Sequence, residues 1–225
     1  MLPRAAISWS GGKDCCQALF RASAAFDVVV MVTMFDDAGA RSRSHGLRPE
    51  VLDAQAERLG LPRLSGRCSW ESYTDEYVQV LGRARALGVT HVIFGDIMFD
   101  AHRAWNEDVC LRSGLTPVLP IWGESTAALA REFVAAGGIA RLITVRSPLD
   151  ASWLGRTMTN DAIVALEDLG ADPCGENGEF HTVVTNCPGF SRPLELVSTE
   201  VVQRADCWAL DVHVSDEPKP PASES

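Results

Sequence analysis

The chain has 225 residues, 46% of them apolar, and a formal net charge of −10, which fits one large α/β domain, or a domain with a small appendage, and a full core. No apolar run reaches membrane-spanning length and the N-terminus lacks a signal-peptide h-region, so the expected setting is cytoplasmic, with no membrane partner. Three acids against one lysine in the last eleven residues leave −8 on the rest, whereas a protein gripping nucleic acid by its phosphates would be basic over at least one face, so nucleic acid is not an expected partner.

The first predicted element is a buried strand at Ala5, Ala6 and Ile7, broken at Ser10-Gly11-Gly12. Cys15, Cys16, Ala18, Leu19 and Ala22 then recur at helical spacing, so the glycines sit where a strand feeds a helix. Val28 to Met34 is a continuous β-branched run that suits an interior parallel strand. Residues 35–48 read as a polar loop with a basic island of Arg41, Arg43, His45 and Arg48, either a solvated loop or a lid carrying arginines toward a triphosphate. Pro49 opens a helix that stops at Gly60. A short strand is expected at Leu61–Leu64, an amphipathic helix from Tyr73 to Leu87, and a buried strand at His91–Asp96 that breaks at Gly95-Asp96. The following helix carries Asp100, His102, Arg103, Asn106 and Glu107. Thr116 to Gly123 is a strand and turn, and Ser125 caps a helix through Ala136. Ile139–Val145 is the next strand and Asn160–Leu169 the next helix. After Gly170 the pattern changes to β-strands at Thr182–Val184, Leu194–Val197 and Trp208–Val212.

This alternation predicts a doubly wound parallel sheet with a small C-terminal α+β part. The expected division is a nucleotide-binding domain over residues 1–135, a smaller substrate-side domain over 136–214 and a disordered tail over 215–225. Ligands of such sheets sit beyond the carboxyl ends of strands, where strand order reverses.

Two stretches carry chemistry. Successive glycines at a helix N-terminus turn N–H groups toward one point and leave no Cβ to obstruct an anion. Ser10 adds a hydroxyl and Lys13 a full charge, so Ser10-Gly11-Gly12-Lys13-Asp14 reads as a phosphate cradle. Arginine outnumbers lysine eighteen to two, and Lys13 is the sole lysine of the folded body. The second stretch is Asp172-Pro173-Cys174-Gly175-Glu176-Asn177-Gly178-Glu179-Phe180-His181. Two glycines and two acids there allow a tight polar turn, and Glu176, Glu179 and His181 could serve proton transfer or metal binding. The seven scattered cysteines include no CxxC pair and read as reduced structural thiols.

The Ser-Gly-Gly-Lys-Asp string resembles the pyrophosphate-binding loop of the N-type ATP pyrophosphatases, with Cys15 where that loop usually ends in Ser. Gly175–Phe180 resembles the Gly-Glu-x-Gly-Glu-Phe element of the diphthine–ammonia ligase family within that superfamily. Gly95-Asp96-Ile97, Pro120-Ile121-Trp122-Gly123 and Trp153-Leu154-Gly155-Arg156 match further family elements in order, so the resemblance spans roughly residues 4–198. It implies an adenine nucleotide alpha hydrolase-like, Rossmann-like sheet that uses ATP and Mg²⁺. A carboxylate would be adenylated with loss of pyrophosphate, then amidated by ammonia.

In that scheme Ser8, Ser10, Gly11, Gly12, Lys13, Asp14 and Cys15 bind the nucleotide with Thr33, Met34, Gly95 and Asp96. Asp14 and Asp96 are the implied metal ligands. Lys13, Asp14, Glu176 and Glu179 are catalytic, and Arg103, Trp122, Arg156, Gly175, Glu176, Gly178, Glu179 and His181 face the acceptor. The implied acceptor is a carboxylate, on a modified histidine of an elongation factor if the source makes diphthamide; a homodimer stays open. The same loop also serves tRNA-modifying thiolases and lysidine-type ligases, and would serve an ATP-binding sensor without turnover.

Overall fold

Consecutive residues of a strand point to opposite faces, and in the inner strands both faces are covered. Ala5 and Ile7 of β1 (Arg4–Ser8) and Met31 of β2 (Asp27–Phe35) pack in one cluster, while Ala6, Val30, Val32 and Met34 pack in the other. The first cluster takes buried faces from α1 (Lys13–Ala22) and α2 (Pro49–Leu59), the second from α3 (Tyr73–Ala86) and α4 (Asp100–Ser113). Covering on both sides is what a continuous β-branched run predicts. The molecule is described here by a computed structural model covering residues 1–204 and 206–215.

With β3 (Arg63–Arg67), β4 (His91–Ile93) and β5 (Thr116–Val118), these strands form a five-stranded sheet in the order β3-β2-β1-β4-β5. Every pairing in it is parallel. Strand order therefore reverses between β1 and β4, and the chain leaving both strands opens onto one crevice.

α5 (Thr126–Ala135) starts at Ser125, whose hydroxyl accepts from the Ala128 N–H. It leads to β6 (Ile139–Val145), then α6 (Asn160–Asp168), β7 (Phe180–Asn186), β8 (Leu196–Gln203) and β9 (Trp208–Val214). These four strands form a separate antiparallel sheet in the order β7-β6-β9-β8. The change of character thus falls at β6, earlier than the expected point after Gly170. The periodic signal of β6 reports burial and is silent on its partner. Leu142, Val145, Val183 and Val184 join the same core cluster as α1, so the two sheets share apolar packing.

Two strands begin further along the chain than expected. β3 begins at Arg63 because Gly60 closes α2 in a left-handed turn and the Pro62 carbonyl already accepts from Met31. β8 begins at Leu196 because Leu194 is buried and its N–H donates to Thr185. Of the residues 215–225 expected as a disordered tail, Ser215 is described and its N–H donates to the Glu195 carbonyl; positions 216–225 lie outside the described residues.

Candidate active site

The turn after β1 is fixed from several sides. Gly11 has φ +88°, a left-handed value, and a Cβ there would come within 2.6 Å of Leu47 and 2.9 Å of Leu52. The Gly11 carbonyl accepts from Val184 at 2.9 Å and from the Gln55 amide at 3.1 Å. At the N-terminus of α1, Gly12 N–H donates to Ser10 Oγ at 3.3 Å and Lys13 N–H to Thr182 Oγ1 at 3.2 Å. The Asp14 and Cys15 amides also belong to the first turn, whose N–H groups a helix cannot pair internally. Gly95 packs against this turn. A Cβ there would stand 2.7 Å from the Cys15 nitrogen and 2.8 Å from the Asp14 carbonyl carbon.

A cavity of about 420 Å³ opens at the β1/β4 reversal. Of the sequence-predicted residues, Ser8, Ser10, Lys13, Asp14, Cys15, Thr33, Met34, Gly95, Asp96, Gly175, Glu176, Gly178 and His181 line it. Gly11 and Gly12 stand behind the wall as its backbone support. Arg103, Trp122, Arg156 and Glu179 do not line it. Arg103 pairs with Glu107 at 2.9 Å, one helical turn along, and lies over the Trp122 ring at 5.6 Å. Arg156 folds over Trp153 and donates to Ser152. Glu179 is 5% exposed; its Oε1 accepts from the Asp172 N–H at 2.8 Å and the Asn177 amide at 3.1 Å, so it braces the turn from inside.

The charges inside the cavity are already partly spent. Lys13 is 2% exposed, and its three ammonium protons reach both Asp14 carboxylate oxygens (3.0 and 2.9 Å) and the Cys174 carbonyl (2.6 Å). Burial alone would lower the Lys13 pKa, but Asp14 together with Cys174 and Glu176 outweighs it and holds the lysine above its ordinary value. Asp96 binds His102 at 3.2 Å and the Asn106 amide at 2.8 Å. Glu176 has no such neutraliser: burial, then repulsion from Asp14, pushes its carboxyl up to about 7. The Cys15 thiol donates to the Gly12 carbonyl at 3.1 Å, accepts from Ser10, and is raised to about 11 by burial.

The basic loop divides its arginines. Arg41 and Arg48 turn away from the cavity and bind Asp211 of β9 at 2.5 and 2.6 Å, which corrects the lid reading for these two. An acidic residue 163 or more positions away claims them. Arg43 lines the cavity, with its guanidinium on the Cys68 carbonyl and over Trp70. His45 also lines it, stacked on His181 at 4.6 Å, and both imidazoles are lowered by burial, to about 4 and about 3. Trp9, Tyr73, Tyr77 and His102 are among the further wall residues that no functional motif in the sequence singled out. Tyr77 had a signal, its place on the buried stripe of α3, but that stripe reports burial alone.

Among the described residues no group of three or more His, Cys, Asp or Glu is arranged to hold a metal ion. Asp14 and Asp96 both line the cavity, and two carboxylates suit a Mg²⁺ that takes its remaining ligands from phosphate and water. For ATP, the open amides and small residues of the glycine turn fit a polyphosphate.

Sheet order, switch-point crevice and glycine turn together define a doubly wound α/β protein with a glycine-rich turn at the start of its first helix. Residues 3–117 match the family model for the diphthamide synthase N-terminal domain and residues 125–214 that for the diphthamide synthase C-terminal domain, so the chain belongs to the diphthamide synthase family. It is 28% identical to the diphthine–ammonia ligase of Rattus norvegicus, over 92% of this chain and 88% of that protein. To the diphthine–ammonia ligase of Homo sapiens it is 27% identical, over 95% of this chain and 93% of that protein. A solved structure, a predicted subunit of tRNA methyltransferase from Methanocaldococcus jannaschii, superimposes with a TM-score of 0.42 at 14% identity, over 82% of this chain and 98% of that one.

Proposed function

We propose that the protein is an ATP-dependent carboxylate–ammonia ligase that forms AMP and pyrophosphate, with a diphthine-like acceptor. The observation that carries this reading is the meeting of the Ser10–Asp14 loop and the Gly175–His181 turn at one cavity, where Glu176 is held near neutrality. Residues 1–135 would supply the nucleotide half and 136–214 the acceptor side.

The acceptor carboxylate oxygen would bond to the α-phosphorus as the α–β bridging bond breaks and pyrophosphate leaves. Ammonia nitrogen would then displace AMP from the acyl carbon and lose a proton. The loop amides, Ser10 and Lys13 would stabilise charge on the leaving pyrophosphate. Lys13 can do so only by exchanging Asp14 for phosphate, which frees Asp14. Mg²⁺ held by Asp14 and Asp96 would neutralise phosphate oxygens. Glu176 would take the proton from ammonium, a task for which a carboxyl near pH 7 is matched.

The test is a reaction of protein, ATP, Mg²⁺ and ammonium with elongation factor carrying diphthine and with other carboxylates. AMP and pyrophosphate in equal amounts, dependent on acceptor, are expected. ADP and phosphate would sink the proposal, as would AMP release independent of any acceptor.

A further inference from the structure

The Ser10–Asp14 loop is short of free positive charge. Its one lysine has all three protons engaged, two of them by Asp14. An entering polyphosphate reaches Lys13 only by displacing Asp14, so a further charged donor in the wall, besides Arg43, would add to its grip. His45 is the group best placed to become one. Its ring lies directly on the loop, so close that a Cβ on Gly12 would come within 2.3 Å of His45 Cε1 and 3.0 Å of Nδ1.

The tautomer of His45 is set by its partner. Nδ1 stands 2.8 Å from the Thr182 carbonyl, which can only accept, so Nδ1 carries the proton. In the neutral ring Nε2 is then a bare acceptor, unfit to meet a phosphate oxygen. One further proton makes it a charged donor.

The surrounding groups say why it is neutral without an anion and why it, rather than His181, would charge. Lys13 and Asp14 face it from α1, His181 stacks on it from β7, and Glu176 lies in the turn before that strand. On its own loop Arg41 and Arg48 are neutralised by Asp211, and Arg43 is bound to the Cys68 carbonyl. Burial and, less strongly, Lys13 oppose a charge on His45 while its Thr182 hydrogen bond favours one; His181 is opposed by burial, His45, Arg146 and Lys13 together, against a smaller attraction from Asp14. Two stacked imidazoles do not both charge, and the proton goes to the one without Arg146 beside it. The loop that carries His45 is tied to Thr182 and, through Arg48, to Asp211.

We infer that His45 is a phosphate ligand: as a polyphosphate enters the Ser10–Asp14 loop, His45 takes a proton from solvent and donates from Nε2 to a phosphate oxygen. This rests on reading the loop as a polyphosphate site and does not depend on ligase turnover.

The experiment uses inorganic pyrophosphate and the full chain. Imidazole carbon–proton resonances, assigned by the signal missing in His45→Asn, are titrated with and without pyrophosphate. The expected result is an upward displacement of the His45 midpoint by roughly one to three units, the scale of an opposite charge at close range. Should His45→Asn fail to fold, isotope-labelled wild type is titrated alone, with the ring assigned through its contact to the Gly12 α-protons. Calorimetry near pH 5.5 in buffers of different ionisation enthalpy should then show net proton uptake on binding. Pyrophosphate that binds with the His45 midpoint unmoved overturns the inference and leaves the loop assignment standing. Uptake located on His181 does the same. Absence of binding overturns both.

Discussion

The Ser10–Asp14 loop and the Asp172–His181 turn each contain two glycines and each bring one carboxylate to the same cavity, yet they treat the carboxylate in opposite ways. Asp14 sits beside Lys13 and is neutralised within its own segment. Glu176 faces the cavity among acids, and burial with that repulsion raises it to about 7. The first segment holds its charge in balance between Lys13 and Asp14. The second keeps one group near its titration point. Lys13 joins them, since its third proton is on the Cys174 carbonyl.

The largest effect should come from removing that asymmetry. Glu176→Gln should lower turnover by about 10²–10⁴-fold, the usual contribution of a positioned base. Glu176 must be ionised to accept a proton, so wild-type turnover should rise with pH through about 7, and the variant should lack that limb. A pH–rate profile with the limb intact would assign it to another group.

Glu179→Ala tests whether the turn's two glutamates are interchangeable. Loss of the acceptor for Asp172 N–H and Asn177 should cost about 1–3 kcal/mol in urea denaturation, for a buried donor left unpaired. Glu179→Gln keeps Oε1 and should recover most of it. Asp211→Asn unlatches Arg41 and Arg48 and should cost about 1–2 kcal/mol at pH 7. The two arginines hold the Asp211 carboxyl below its usual range, so its contribution is present above the unfolded value and fades as pH falls. The difference between wild type and variant should therefore be smaller at pH 3 than at pH 7. Cys15→Ser is the mildest change, within about 0.5 kcal/mol, since a hydroxyl can occupy the same network between Ser10 and Gly12. With its thiol raised to about 11 by burial, Cys15 should also resist alkylation in the folded protein at pH 7.

The parallel half of the fold was legible because its signals are local: β-branched runs, glycine stops, and Ser125 and Pro49 at helix starts. The place of the Ser10–Asp14 turn between a strand and a helix, beside a cavity, was legible for the same reason, because five consecutive residues and the adjoining helix carry the signal. The second sheet was read less well. Ile139–Val145 has the same strand signature whether its neighbours run parallel or antiparallel. In the cavity wall, the loop that carries His45 is tied to Thr182 and, through Arg48, to Asp211 more than 160 residues downstream, and no spacing in the sequence records those pairings. Glu179 and Glu176 differ in sequence only by position, yet the backbone of Asp172 claims one and leaves the other to the cavity.

The scarcity of lysine has a practical consequence. The sequence holds two, Lys13 and Lys219, the latter outside the described residues. Within the described residues Lys13 is thus the one side-chain amine, sealed by Asp14 and Cys174. Reductive methylation followed by mass spectrometry should leave it unmodified for as long as that seal holds. Any nucleotide or acceptor that pries Lys13 from Asp14 without covering it would then be recorded as a methyl mark at a single address, a chemical tell-tale already written into the chain.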